Sequence, residues 1–157
     1  MPSRALYTFG SSAITCRKPV DHRGDAEGAE GVKLNAVTDK IIGAAIEVHR
    51  TLGPGLLESA YESCLAHEFS LENLEYARQV PLPVIYKSLP VDCGYRLDFL
   101  VAQKVVVEVK AIEALESIHH AQLLTYLKLG GWKVRLLINF NVPVLQRGIK
   151  RVVNSFF

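Results

Sequence analysis

The 157 residues predict a single α/β domain of the α+β type, with a mixed central sheet flanked by helices. Three observations carry that expectation. The chain is 49% hydrophobic, enough to build one sizeable core at this length. Helical and strand periodicities follow one another in the order α-α-β-β-β-β-α-β. Late in the chain, Val134, Leu136, Leu137 and Ile138 give residues 133–139 the near-continuous apolar look of a strand covered on both faces.

Order is expected from about Asn35, where Val37, Ile41, Ala45, Val48 and Leu52 recur at helical spacing until Gly53-Pro54-Gly55 closes the helix. A second helix follows at once. Leu57, Tyr61, Leu65 and Phe69 are four apart, Glu58 and Glu62 lie in its early turns where the helix dipole favours acids, and it ends near Asn73. Residues 76–80 and 84–87 read as short strands bent or placed at an edge by Pro81 and Pro83. A hairpin comes next, 95–101 and 105–110 around a three-residue turn. Ser117 is positioned to cap a helix over 117–129 with Ile118, Leu123, Leu124 and Leu127 as its apolar positions, stopped by Gly130-Gly131. After the strand 133–139, residues 149–153 fit a strand or a helix. Residues 1–33, rich in Ser, Gly and charge, read as a flexible extension preceding a domain over 34–157.

The cysteines, Cys16, Cys64 and Cys93, are odd in number and widely spaced, which argues against a disulfide framework or zinc knuckle and for a reducing, cytoplasmic setting. No apolar stretch approaches the ~20 residues that span a bilayer, so no membrane partner is expected. The net charge is only +2, but it is unevenly spread: 34–116 holds twelve acids and seven bases, whereas 117–157 holds no acid and six bases. Those bases, Lys128, Lys133, Arg135, Arg147, Lys150 and Arg151, would suit a phosphate-backbone footprint as well as an ordinary solvated face.

The hairpin carries the chemistry. With Ala102-Gln103-Lys104 as its turn, Asp98 falls opposite Glu108, within the ~5 Å of cross-strand neighbours. The period of two puts Lys110 on that face and turns Leu97, Phe99, Val101, Val105, Val107 and Val109 to the core. Facing carboxylates are unfavourable unless one is protonated or a cation lies between them. Oxygen donors without nearby Cys or His favour Mg²⁺ or Mn²⁺, and Lys110 is placed to orient water or to stabilise charge on a phosphoryl oxygen. An isolated Glu-x-Lys is more often a surface pair; the register-matched Asp98 changes that balance. On the third helix His119, Gln122 and Tyr126 can share one polar stripe, which suits either a phosphate or solvent. Glu58 offers a further carboxylate just after the Gly-Pro-Gly turn. His49 and His67 receive no role.

Taken together, Gly55, Glu58, Tyr61, Asp98, Glu108-Val109-Lys110, His119, Gln122, Tyr126 and Ile138-Asn139-Phe140 resemble the GxxExxY family, a branch of the PD-(D/E)xK nuclease superfamily, over about residues 37–153. The resemblance implies a restriction-endonuclease-like core. It implies Asp98 and Glu108 as metal ligands with the Val109 carbonyl, Lys110 as the catalytic lysine and Glu58 as the helix carboxylate completing the site. Gln122 and Tyr126 correspond to the Gln-x-x-x-Tyr pair of RecB-like nucleases and, with His119, would meet the substrate. Leu97 stands where the superfamily nominally has proline. The activity implied is Mg²⁺- or Mn²⁺-dependent hydrolysis of DNA, or less favourably RNA, by activated water, and a homodimer is left open. Two alternatives stay in view: a catalytically silent nucleic-acid-binding or assembly module, and a hydrolase of small phosphoesters.

Overall fold

The computed structural model describes residues 6–9, 12–15, 26–92 and 94–154. Strands β1 (Leu6–Phe9) and β2 (Ser12–Thr15) pair antiparallel. Helix α1 (Ala26–Leu52) begins well before Asn35. The extension predicted over 1–33 therefore holds a two-stranded pairing and the first turns of a helix, its other residues lying outside those described. Leu34 is buried in the main core and Glu30 meets the Lys133 ammonium at 3.4 Å, so packing extends a helix start that Gly28 and Gly31 weaken by propensity. No helix among the described residues is long and apolar enough to cross a membrane.

Helix α2 (Glu58–Leu71) buries Tyr61, Leu65 and Phe69, while Leu57, expected to be apolar and inward, stands exposed at the N-cap. β3 (Tyr76–Pro81) leads to an arm of β4 (Val84–Tyr86) and β5 (Leu89–Val91), which form their own two-stranded sheet. Lys87 and Ser88 both take positive φ in the arm's tight turn. β6 (Arg96–Val101), β7 (Val105–Lys110), β8 (Val134–Asn139) and β9 (Ile149–Val153) complete a five-stranded sheet in the order β3-β6-β7-β8-β9. Only β7 and β8 run parallel, joined by helix α3 (Ser117–Gly130). Residues 149–153 are thus strand, as one of the two expectations had it. The architecture is the mixed, helix-flanked sheet predicted.

Both faces of the sheet are covered. On one, Phe99, Val101, Val105, Val107 and Val109 meet Ile41, Val48, Tyr61 and Phe69 from α1 and α2. On the other, Leu97, Leu100, Val106, Val80 and Leu82 form a smaller cluster against Tyr126 and Trp132. Two expectations change here. Leu97 belongs to the second cluster, its partner Val80 lying beyond an irregularity in β3. The face carrying Asp98 and Glu108 is not wholly a charged site, because apolar residues nearer the turn close over it. The leucine-rich aspect of α3 is also less buried than expected: Leu127 is in the core, but Ile118, Leu124 and Leu129 are exposed. Every residue of β8 is buried, Arg135 and Asn139 included, as the near-continuous apolar look of the strand foretold.

Candidate active site

β6 and β7 pair Val101 with Val105, Leu100 with Val106 and Phe99 with Val107. One step further along this register brings Asp98 opposite Glu108, as the three-residue turn requires. Backbone pairing stops there. Asp98 Oδ2 instead accepts the Val109 N–H at 2.8 Å, so a side chain finishes the ladder. The same position is irregular on the other side of β6: the β3 pairing passes over Gln79, whose φ is +50°. A side chain that long is strained in this left-handed region, and its amide donates to Glu62 Oε1 at 3.0 Å, shared with Arg78 at 3.1 Å.

Charge is dense around this point. Burial, with the Glu108 carboxylate next in effect, pushes Asp98 up to about 6; the Val109 N–H and Lys110 oppose that shift, and Glu62 adds to it. Glu108 is divided between two cations, with Oε2 2.7 Å from the Arg135 guanidinium and Oε1 3.6 Å from Lys110 Nζ. Lys110 Nζ also lies 3.9 Å from Glu58 Oε2. The other oxygen of Glu58 accepts the Ala111 N–H at 3.2 Å, fastening the start of α2 to the end of β7. The half-buried lysine thus stands between two carboxylates and close to a third.

The turn before α2 explains how Glu58 reaches β7. Gly53 and Gly55 have φ of +69° and +101°, conformations that L side chains rarely adopt. The Tyr61 hydroxyl donates to the Gly53 carbonyl at 2.6 Å and accepts the Leu56 N–H at 3.1 Å, while its ring stacks on Phe140 at 4.4 Å. Gly55, Glu58 and Tyr61 are therefore one device: glycine permits the turn, tyrosine pins it, and glutamate is delivered. Tyr61→Phe should keep the stack but lose both hydrogen bonds, lowering stability by about 1–2 kcal/mol. Chemical denaturation would measure this, and an unchanged midpoint would show that the hydroxyl pins nothing.

α3 contributes differently from its predicted stripe. Its N-cap is Glu116 rather than Ser117, and His119 completes a reciprocal capping box by accepting the Glu116 N–H on Nδ1 at 2.9 Å. Gln122 is exposed. No hydrogen bond or ring contact among the described residues links His119 or Gln122 to the carboxylates. Tyr126 does reach them, through Arg135, whose guanidinium lies 4.7 Å from its ring centre; the Tyr95 ring lies 5.6 Å from that of Tyr126, tilted.

Among the described residues no three His, Cys, Asp or Glu side chains gather closely enough to hold a metal ion. The three-carboxylate arrangement expected of Asp98, Glu108 and Glu58 is instead a facing pair with Glu58 across Lys110, because the N-terminus of α2 is tied to Ala111. Asp98 and Glu108 nevertheless fit a magnesium-like ion, which takes one or two carboxylates and retains water. Asp98 is raised chiefly by burial and next by the Glu108 carboxylate, a repulsion that a cation between them would relieve.

Four contributors received no site role from the sequence. Glu62 was seen only as a helix-start acid, although it is one turn from Glu58. Gln79 was placed on a strand without a role of its own. Asn139 accepts from the N–H groups of Ile112 and Asn141 and donates to the Ile112 carbonyl at 2.9 Å, holding the chain that leaves Lys110. Arg135 was counted with the basic footprint, yet its side chain is 1% exposed. Lys133 and Arg151 also turn to α1, bonding Glu30 and Asn35. The footprint predicted for the C-terminal third is correspondingly smaller. The signal for Arg135 was its isolation: one charge inside an apolar strand calls for a buried partner.

A family model described as PD-(D/E)XK nuclease superfamily matches residues 35–152, more than half of the chain. No curated protein and no solved structure matches.

Proposed function

Because this chain belongs to the PD-(D/E)XK nuclease superfamily, we propose that it is a divalent-cation-dependent nuclease that hydrolyses phosphodiester bonds in DNA, with RNA the less favoured substrate. The observation that carries this reading is the convergence of Asp98, Glu108 and Lys110 at the ends of adjacent strands, with Glu58 on the far side of the lysine. Within the superfamily, the Gly55, Glu58 and Tyr61 device supports the GxxExxY branch. We place the activity in the cytoplasm.

In this mechanism Asp98, Glu108 and the Val109 carbonyl would hold Mg²⁺ or Mn²⁺, with Glu58 close enough through Lys110 to assist. The cation, when bound, supplies Lewis-acid polarisation of the phosphate and lowers the pKa of water. Lys110, flanked by the carboxylates of Glu58 and Glu108, donates to the oxygen on which negative charge develops. Tyr126 and Gln122, on α3, border the substrate path, with His119 at its start.

Purified protein with Mg²⁺ or Mn²⁺ should cut linear or single-stranded DNA, and Asp98→Ala should abolish the cutting. Absence of metal-dependent cleavage across DNA and RNA substrates would refute the proposal. The Arg135 pair favours one other reading, a binding module of the same fold, since it gives Glu108 a counter-ion without any metal. That module would bind nucleic acid in a salt-sensitive manner and be indifferent to Asp98→Ala.

A further inference from the structure

We propose that Arg135 is a permanent counter-ion of Glu108 that holds down the site's affinity for a divalent cation, an inference that rests on the cation-dependent reading above. Arg135 lies on β8, opposite Val106 in the parallel pairing with β7, and so projects on the face that carries Glu108. Its side chain is fully buried, donates to Glu108 Oε2 at 2.7 Å and stacks on Tyr126. It is therefore built into the core beneath the site.

This arrangement gives the two oxygens of Glu108 different tasks. Oε2 meets the buried guanidinium; Oε1 faces Lys110, whose ammonium also neighbours Glu58. A cation arriving at Asp98 and Glu108 meets a pair of carboxylates already carrying a positive charge on one member. Repulsion between Arg135 and the incoming ion acts over a short distance through a poorly solvated interior, where charges interact more strongly than in water. Removing the guanidinium leaves Glu108 half-buried without that partner, which costs stability in the cation-free protein and makes the site more attractive to a cation. Stability and metal affinity should thus move in opposite directions, a pattern that loss of core packing alone does not produce.

The test compares wild type, Arg135→Met and Arg135→Lys by Mn²⁺ titration calorimetry and by thermal unfolding with and without Mn²⁺. Arg135→Met should unfold at a lower temperature without cation, bind Mn²⁺ at least tenfold more tightly, and show a larger Mn²⁺-induced rise in Tm than wild type. Arg135→Lys retains the charge while losing the planar fork, and should stay within about threefold of wild-type affinity. If Arg135→Met does not fold alone, Mn²⁺ titration followed by circular dichroism should restore its structure. Failure to restore it, equal affinities in all three proteins, or weaker binding in Arg135→Met would each overturn the counter-ion role. Wild type that binds Mn²⁺ and cuts DNA while Arg135→Met binds no more tightly refutes this inference alone; wild type that does neither refutes the nuclease reading with it.

Discussion

Replacing Lys110 by methionine is expected to lower the single-turnover rate of DNA cleavage by about 10²–10³-fold, the usual cost of removing one donor that stabilises charge in a transition state. Methionine preserves most of the apolar stem, so the loss isolates the ammonium. Mn²⁺ binding should persist or strengthen, because a positive charge 3.6 Å from Glu108 Oε1 has been removed. Lys110→Arg should rescue poorly: a planar fork cannot take the place of a compact ammonium between Glu58 and Glu108. The decisive comparison is cleavage at saturating Mn²⁺ beside the calorimetric Kd. A rate within tenfold of wild type would remove Lys110 from the chemistry.

Asp98→Asn should separate function from stability. The folded protein holds the Asp98 proton to about pH 6, above the ordinary carboxylate value, chiefly because the group is buried and faces Glu108. A folded-state pKa that is raised means that the folded form binds the proton more tightly than the unfolded form. The associated stability is fully present below about pH 4 and is lost as pH rises through 6. At pH 8 without cation, wild type therefore carries a penalty of about 2 kcal/mol, allowing for partial exposure. Asparagine is neutral and can still accept the Val109 N–H, so Asp98→Asn should unfold about 5 °C higher than wild type at pH 8. The gap should close between pH 6 and pH 4. Mn²⁺ should raise the Tm of wild type at pH 8 and leave Asp98→Asn unmoved, and the variant should not cut. A lower Tm for the variant at pH 8 would show that ionised Asp98 is not a liability in the cation-free site.

Much of this site was readable before any coordinates because its geometry is local. A three-residue turn and a period of two determine that Asp98 faces Glu108, and the same period keeps Lys110 beside them. Gly55, Glu58 and Tyr61 could be grouped because together they form the motif that carries the family resemblance. What escaped is set by contacts distant in sequence. Arg135 looked like a surface base because charge composition carries no information on burial, and its partner becomes visible only when β7 and β8 are laid parallel. Ser117 was misjudged as the cap for a related reason: the true cap, Glu116, lies one residue earlier and recruits His119. The β4–β5 arm was half seen, since Leu89–Val91 is three residues long and contains a proline, too little for a periodic signal. Helix α1 was started too late because packing by Leu34 outweighs the glycines before it.

Asn139 bears on how the site is able to move. It stands beside Lys110 in the parallel pairing, and a single amide grips both the N–H and the carbonyl of Ile112. The strand end that carries Glu108 and Lys110 is consequently clamped two residues past the lysine, at the same place where Glu58 grips Ala111. Any displacement of the N-terminal end of α3 must then be taken up in residues 113–116, beyond the clamp. Glu108 and Lys110 are thus fixed to the sheet at a point that the link to α3 does not reach.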